Sequence, residues 1–288
     1  MTASRYVSPV LKPLESLKKL WDVPRDGLIS IGHFITFLVK SIGLAPITFR
    51  HYQKEVWRLL ADVAWGNGAI VVGGGTVGVM VILGIMGGLT VGIEGYTALN
   101  LLGMTPLSGA LSAFATTREI APLLAATGFA AQSGCRFTAQ LGSMRICEEI
   151  DALEAIAIRP LPYLVTTRMA AAVLSIIPMY AIALAANYIA AQVIFQIRSG
   201  QGAGTYLHYF HQFMLSSDVI FSFIKVTVFV LLTTFIQCYY GYFASGGPEG
   251  VGIAAGHAIR MAIIAIVFAS LIMTLVFWGT TSGIKISG

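Results

Sequence analysis

Hydrophobic and polar positions along this chain fall into long blocks. Five apolar runs, Ala69 to Val91, Ile120 to Ser143, Tyr163 to Ile197, Val219 to Ala244 and Val251 to Ser282, reach the roughly 20 residues that a helix needs to cross a hydrocarbon core. The third and fifth exceed one membrane thickness, which predicts tilt, a break or extension beyond the lipid. Ahead of them, Gly27 to Leu44 mixes apolar residues with His33 and Lys40. It is short for a span and Pro46 interrupts its continuation, so it predicts a helix lying along the membrane face.

Between the second and third runs the pattern changes abruptly to RICEEIDALEAIAIRP, Arg145 to Pro160. Glu148, Glu149, Asp151 and Glu154 alternate there with Ile146, Ile150, Leu153 and Ile156. Helical spacing places the carboxylates on one face and the apolar residues on another. A short amphipathic helix of this kind is either an ordinary solvated loop helix or a docking helix for a soluble partner, and the second reading is the sharper one.

Composition agrees with a membrane protein. Hydrophobic residues make up 56% of the chain and charged residues only 11%, with a mean hydropathy of +0.79. Thirteen of the 18 Lys and Arg residues precede the first run or lie between Arg136 and Arg168, which assigns the N-terminus and the charged island to the cytoplasm. Five crossings then leave the C-terminus outside. The net charge of +5 reads as topology and affinity for anionic headgroups rather than as nucleic-acid binding. The first thirty residues lack the pattern of a cleaved signal peptide, and no internal repeat is visible. The chain divides into a basic cytoplasmic arm with the interfacial helix, residues 1–66, and a transmembrane domain, residues 67–288.

The candidate chemistry is sparse. Gly73, Gly75 and Gly78 spell G-x-G-x-x-G, yet inside a continuous apolar run rather than between a soluble strand and a helix, so a dinucleotide site is excluded. Gly74 with Gly78, and Gly84 with Gly88, instead give small-xxx-small spacings for close helix packing, within the subunit or between subunits. Cys135, Cys147 and Cys238 lack ligand spacing and read as inert thiols. His208 and His211, three apart, have no Cys or carboxylate nearby to complete a metal site. No Walker A loop, HExxH or nucleophile triad is present, so the chain reads as non-catalytic and any ATP must bind another chain.

Charges at membrane depth say more, because an unpaired one there needs a partner or water. Arg118 and Glu119 open the second run, and Lys225 lies about 10 Å inside the fourth. All three fall toward the outer side, with Glu119 expected to pair with Lys225 or with Arg118. Such a cluster marks either the mouth of a transport path or a structural ion pair that fixes helix register.

Thr117 to Arg168, TREIAPLLAATGFAAQSGCRFTAQLGSMRICEEIDALEAIAIRPLPYLVTTR, resembles the core of the MlaE/YrbE permease family of lipid-transporting ABC systems. Ile224 to Ala254 is similar to that family's lysine-bearing span and the Gly-rich turn after it. The resemblance covers nearly the whole chain. It implies an all-α membrane protein with an N-terminal interfacial helix, five transmembrane helices and a cytoplasmic coupling helix between the second and third. That coupling helix, Glu148 to Ile156 with Ile146 before it, would dock into an ATPase dimer that holds ATP and Mg, with Ile146, Ile150 and Leu153 supplying apolar docking area and the carboxylates setting orientation. The family's Arg-Glu pair falls on Arg118 and Glu119. The resemblance further implies a permease dimer beneath MCE-domain proteins, moving fatty acids, phospholipids, sterols or mycolic-type lipids across a bacterial inner membrane.

Three positions depart from the family pattern: Gln140 where Glu is usual, Gln132 for Arg, and Arg159 for Asp. They favour an actinobacterial YrbE-type arrangement, this chain being the B-type paralogue in a heterodimer that imports lipid. The rival class is an ATPase-independent secondary transporter or channel, against which stand the few mid-depth charges and the missing inverted repeat.

Overall fold

The computed structural model describes residues 32–64, 75–200 and 203–279, and among these it contains helices and no strand. Three short helices come first: α1 (32–43), α2 (Ala45–His51) and α3 (Gln53–Ala64). Pro46 occupies the first turn of α2, where its missing N–H has no partner to lose. It therefore starts a helix instead of simply ending the expected one, of which Gly27 to Ile31 lies outside the described residues. The amphipathic α3, not anticipated as a separate element, buries Val56, Leu59 and Val63.

Among the described residues, four helices are long and apolar enough to cross a membrane: α4 (Gly75–Leu101), α7 (Leu161–Ser199), α9 (Ser216–Tyr242) and α10 (Gly247–Trp278). They contain most of four of the expected runs. The beginning of the first run, the 66/67 boundary and Gly74 fall outside the described residues. Between α4 and α7 lie the long helix α5 (108–146) and the short, about two-turn α6 (Glu149–Ala155). A short helix, α8 (Ala203–Phe213), joins α7 to α9.

The run from Ile120 to Ser143 lies on α5, which is assembled from pieces. Ser108–Ala115, Ala121–Phe129 and Cys135–Ile146 are α-helical, and π turns at Thr116–Ile120 and Ala130–Gly134 join them. Both π turns face α9. Pro122 has no N–H to offer the Arg118 carbonyl four residues back, and Lys225 Nζ of α9 donates to that carbonyl at 2.8 Å. Twelve residues along α9, Gln237 Nε2 donates to the carbonyl of Ala130 at 3.0 Å, and Thr138 Oγ1 returns a bond to the Gln237 carbonyl at 3.0 Å. Side chains of one helix thus serve the irregular backbone of the other, as backbone at membrane depth demands.

Helix α4 packs along α7 through glycines. A Cβ on Gly84 would stand 2.5 Å from the Ala183 carbonyl oxygen, and one on Gly88 would stand 2.2 Å from that of Asn187. The close approach expected of these two glycines is made inside the chain, where dispersion and backbone proximity do the work that water does for soluble cores. Gly78 sits half-buried on the same helix.

The N-terminal helices are fastened to the start of α7. Thr166 Oγ1 donates to the Ser41 carbonyl at 3.2 Å and Thr48 Oγ1 to the Pro162 carbonyl at 3.0 Å. Phe37 is buried among Phe235, Tyr239, Tyr242 and Phe243, while Ile35, Val39 and Ile42 form an exposed apolar stripe on the other side of α1. Helix α10 shows the same habit on a larger scale. Ala258, Ala262, Ile266 and Ser270 face the bundle at four-residue spacing, and Ile264, Val267, Phe268, Leu271, Ile272 and Leu275 are exposed. An apolar surface of this extent suits lipid or another membrane helix, not water.

Candidate functional site

The three membrane-depth charges come together, with a fourth that the sequence reading missed. Lys225 on α9 is fully buried and directs its ammonium to Glu119 Oε1 at 2.8 Å, to the Arg118 carbonyl at 2.8 Å and to Thr274 Oγ1 at 2.8 Å. All three of its donors are therefore satisfied. Glu119 also accepts from Ser270 Oγ at 3.0 Å and from the Thr274 hydroxyl. Of the two partners open to Glu119, Lys225 is the one it takes.

Arg118 pairs instead with Asp218, a buried carboxylate in the first turn of α9, through Nη2 at 2.8 Å and Nε at 3.1 Å. Trp278 Nε1 donates to the other oxygen of Asp218 at 2.8 Å. The guanidinium lies 4.6 Å from the ring centre of Phe114 and 5.2 Å from that of Trp278. Two cations and two carboxylates thus cancel within one network, which is what makes their burial tolerable.

Signals for the missing partners were present. Asp218 is the one acidic residue between Glu154 and Glu249, and it stands seven positions before Lys225, on the same face of a helix. Ser270, Thr274 and Trp278 follow one another at four-residue spacing in the otherwise apolar stretch after Arg260.

The network is closed on the inside and open at one point. The Glu119 side chain is 41% exposed, and it borders a groove of about 320 Å³ between α4 and α5, lined otherwise by Met86, Gly87, Thr90, Ile120, Leu123 and Leu124. A single carboxylate at the head of an apolar groove can meet the polar end of an amphiphile while the groove accepts its tail.

The acidic island forms α6 as expected, flanked by Glu148 and Ala157 in left-handed backbone at φ 57° and 62°. Glu148, Glu149 and Glu154 are exposed, and Asp151 is exposed while bonded to Arg145 at 2.7 Å. The apolar side corrects an expectation. Ile150 is 1% exposed and Leu153 packs on the same core, so these two anchor α6 to its own bundle instead of offering docking area. Ile146 is half-buried, and Ile156, 67% exposed, is the apolar residue left outward.

The remaining candidates are scattered. His208 and His211 are exposed on α8, and among the described residues no three His, Cys, Asp or Glu side chains converge. Cys135 is half-buried, Cys147 exposed and Cys238 buried, all as free thiols.

Comparison with known proteins converges on one family. The profile described as Permease MlaE matches residues 65–276. A probable ABC transporter permease protein of Rickettsia bellii is 25% identical over 252 residues, 86% of this chain and 92% of that protein. The intermembrane phospholipid transport system permease protein MlaE of Haemophilus influenzae is 25% identical over 202 residues, 70% of this chain and 77% of its own length. A probable ABC transporter permease protein of Synechocystis is 30% identical over 179 residues, 62% of this chain and 68% of that one. With helices and no strand among its described residues, four of those helices of membrane length, and a family match across most of its length, the chain belongs to the MlaE permease family and is a non-catalytic membrane transport subunit.

Proposed function

We propose that this chain is the permease half-unit of an MCE-associated ABC transporter that moves lipid across a bacterial inner membrane. The observation that carries this reading is Glu119, the exposed member of a neutral four-charge network, standing at the head of an apolar groove. A lipid needs such a boundary between polar and apolar lining. An ion path needs a continuous polar one, and the closed pairing of Arg118 with Asp218 and of Lys225 with Glu119 does not offer it.

In the proposed layout α5 is the fifth span beside α4, α7, α9 and α10, and α1 lies along the cytoplasmic face. The N-terminus and α6 are then cytoplasmic and the C-terminus external, as the basic residues favour. Glu148, Glu149, Asp151 and Glu154 present a carboxylate face to a separate ATPase, which supplies ATP and Mg. Nucleotide-driven closure of that ATPase displaces α6, and Ile150 and Leu153 pass the displacement into the bundle core. The partner permease is a paralogue of this chain, MCE-domain proteins receive or deliver the lipid, and transport runs inward. The departures at Gln132, Gln140 and Arg159 support a heterodimer of the YrbE type.

The test is lipid transfer by the reconstituted complex with Glu119→Gln. Neutralising this carboxylate removes the acceptor of a buried ammonium, so Glu119→Gln with Lys225→Met is assayed alongside. Both variants are expected to lose lipid transfer, the double variant with its fold intact. Normal transfer by the double variant overturns the assignment of Glu119 to the path.

A further inference from the structure

Among the described residues, Arg168 is the buried charge that the network above does not use. It lies on α7, seven residues past the helix start, and is 6% exposed. Nη1 donates to the Leu164 carbonyl in its own helix at 2.7 Å, and Nη2 reaches Gln140 Oε1 only at 3.5 Å, the outer limit of a hydrogen bond. Nε has no acceptor among the described residues. A guanidinium offers five N–H donors, so most of this buried cation's capacity is unspent, and no described carboxylate pairs with it.

The same side chain lines a cavity of about 980 Å³ between α3, α5 and α7. Arg58, Leu59, Gln140, Ser143 and Met144 share the lining. Arg58 is bonded to Glu55 at 2.5 Å, which holds its guanidinium above the ordinary value, so it keeps its charge at the cavity wall. Asp62 also borders the space, but Arg136 holds that carboxylate. The balance left facing the cavity is positive.

We propose that this cavity binds the phosphate of an anionic phospholipid headgroup, with Arg168 as the residue that grips it. Guanidinium N–H groups match phosphate oxygens in charge and geometry. Ser143 and Gln140 supply polar contacts, and Leu59, Ala61, Ala139 and Met144 supply apolar lining for the glycerol and the first acyl carbons. The volume stands at the upper end of ligand-sized pockets, far more than a lone phosphate ion fills. Arg168 lies about 10 Å from the start of its helix, the depth at which headgroups meet chains. The site is separate from the Glu119 groove. It rests on the chain lying in a membrane and not on its transporting lipid, so the test reads binding alone.

The chain, purified in a phosphate-free detergent, is titrated with phosphatidylglycerol, with diacylglycerol of the same tails and with inorganic phosphate, and bound species are counted by native mass spectrometry. Wild type is expected to hold phosphatidylglycerol at least about tenfold more tightly than diacylglycerol, the range of a charge-assisted hydrogen bond. Arg168→Gln removes the cation. Gln140→Glu keeps it but gives it a carboxylate partner 28 positions earlier in the chain, which also protects the fold. Both variants are expected to lose the preference. Retention of the full preference by a folded Gln140→Glu protein overturns the proposal, and so does inorganic phosphate that binds alone and displaces the lipid.

Discussion

At the scale of single residues, the controlling fact is that Lys225 is buried with every donor used. Lys225→Met leaves the Glu119 carboxylate without its cation and the Arg118 carbonyl without its donor. Removing one partner of a fully buried pair costs about 3 to 5 kcal/mol, and with Glu119 41% exposed the cost here should be smaller, so this variant should melt lower in detergent by less than that limit. Glu119→Gln added to it should recover most of that loss, because a neutral pair no longer leaves a charge unmatched. Thermal denaturation of the three proteins side by side checks both statements. Arg118, Glu119 and Lys225 were readable as a cluster because charge is so rare in the apolar runs. The role of Asp218 was harder to read despite its seven-residue spacing to Lys225, because it sits at the edge of a run where a carboxylate ordinarily meets water, and the fold turns it inward.

At the scale of elements, the membrane-length helices were legible from hydropathy, since four of the five expected runs lie largely within continuous helices. The breaks in α5 were harder to foresee. Pro122 marks the first π turn, whereas nothing local marks the second, which depends on Gln237 arriving from α9 above Gly134. A Cβ at Gly134 would fall 1.3 Å from Gln237 Oε1, so Gly134→Ala should displace that amide and destabilise the bundle by roughly 1 to 3 kcal/mol. Helix α6 tested a pattern argument and divided it. The carboxylates are outside as the periodicity required, while Ile150 and Leu153 were taken by the chain's own core, because a helix this short needs an anchor before it can present a face. Ile150→Ala is therefore expected to cost about 2 to 5 kcal/mol of stability. Glu149→Lys with Glu154→Lys should leave the melting temperature nearly unchanged.

At the scale of the whole molecule, the distribution of Lys and Arg argues for topology and the packing of α1 to α3 on α7 makes one end of the bundle continuous with the N-terminal helices. Cys147 offers a native reporter, being exposed beside α6. A membrane-impermeant maleimide should label it in inverted inner-membrane vesicles and not in intact spheroplasts, and the opposite pattern would reverse the proposed orientation. The exposed apolar faces of α4 and α10 are open to lipid or to another membrane helix. Hydrophobicity identifies the surface but not its occupant, so lipid and partner helix are indistinguishable in sequence.

The central claim is that this permease is driven through α6 by a separate ATPase. Its most direct test is affinity purification of the chain from native membranes in mild detergent, with mass spectrometry of the proteins and lipids that accompany it, wild type against Glu149→Lys with Glu154→Lys. Wild type is expected to bring an ABC ATPase, a second permease, MCE-domain proteins and bound lipid, and the charge-reversed protein to keep the membrane partners while losing the ATPase. Equal recovery of the ATPase by both proteins, or its absence from both, would contradict the account.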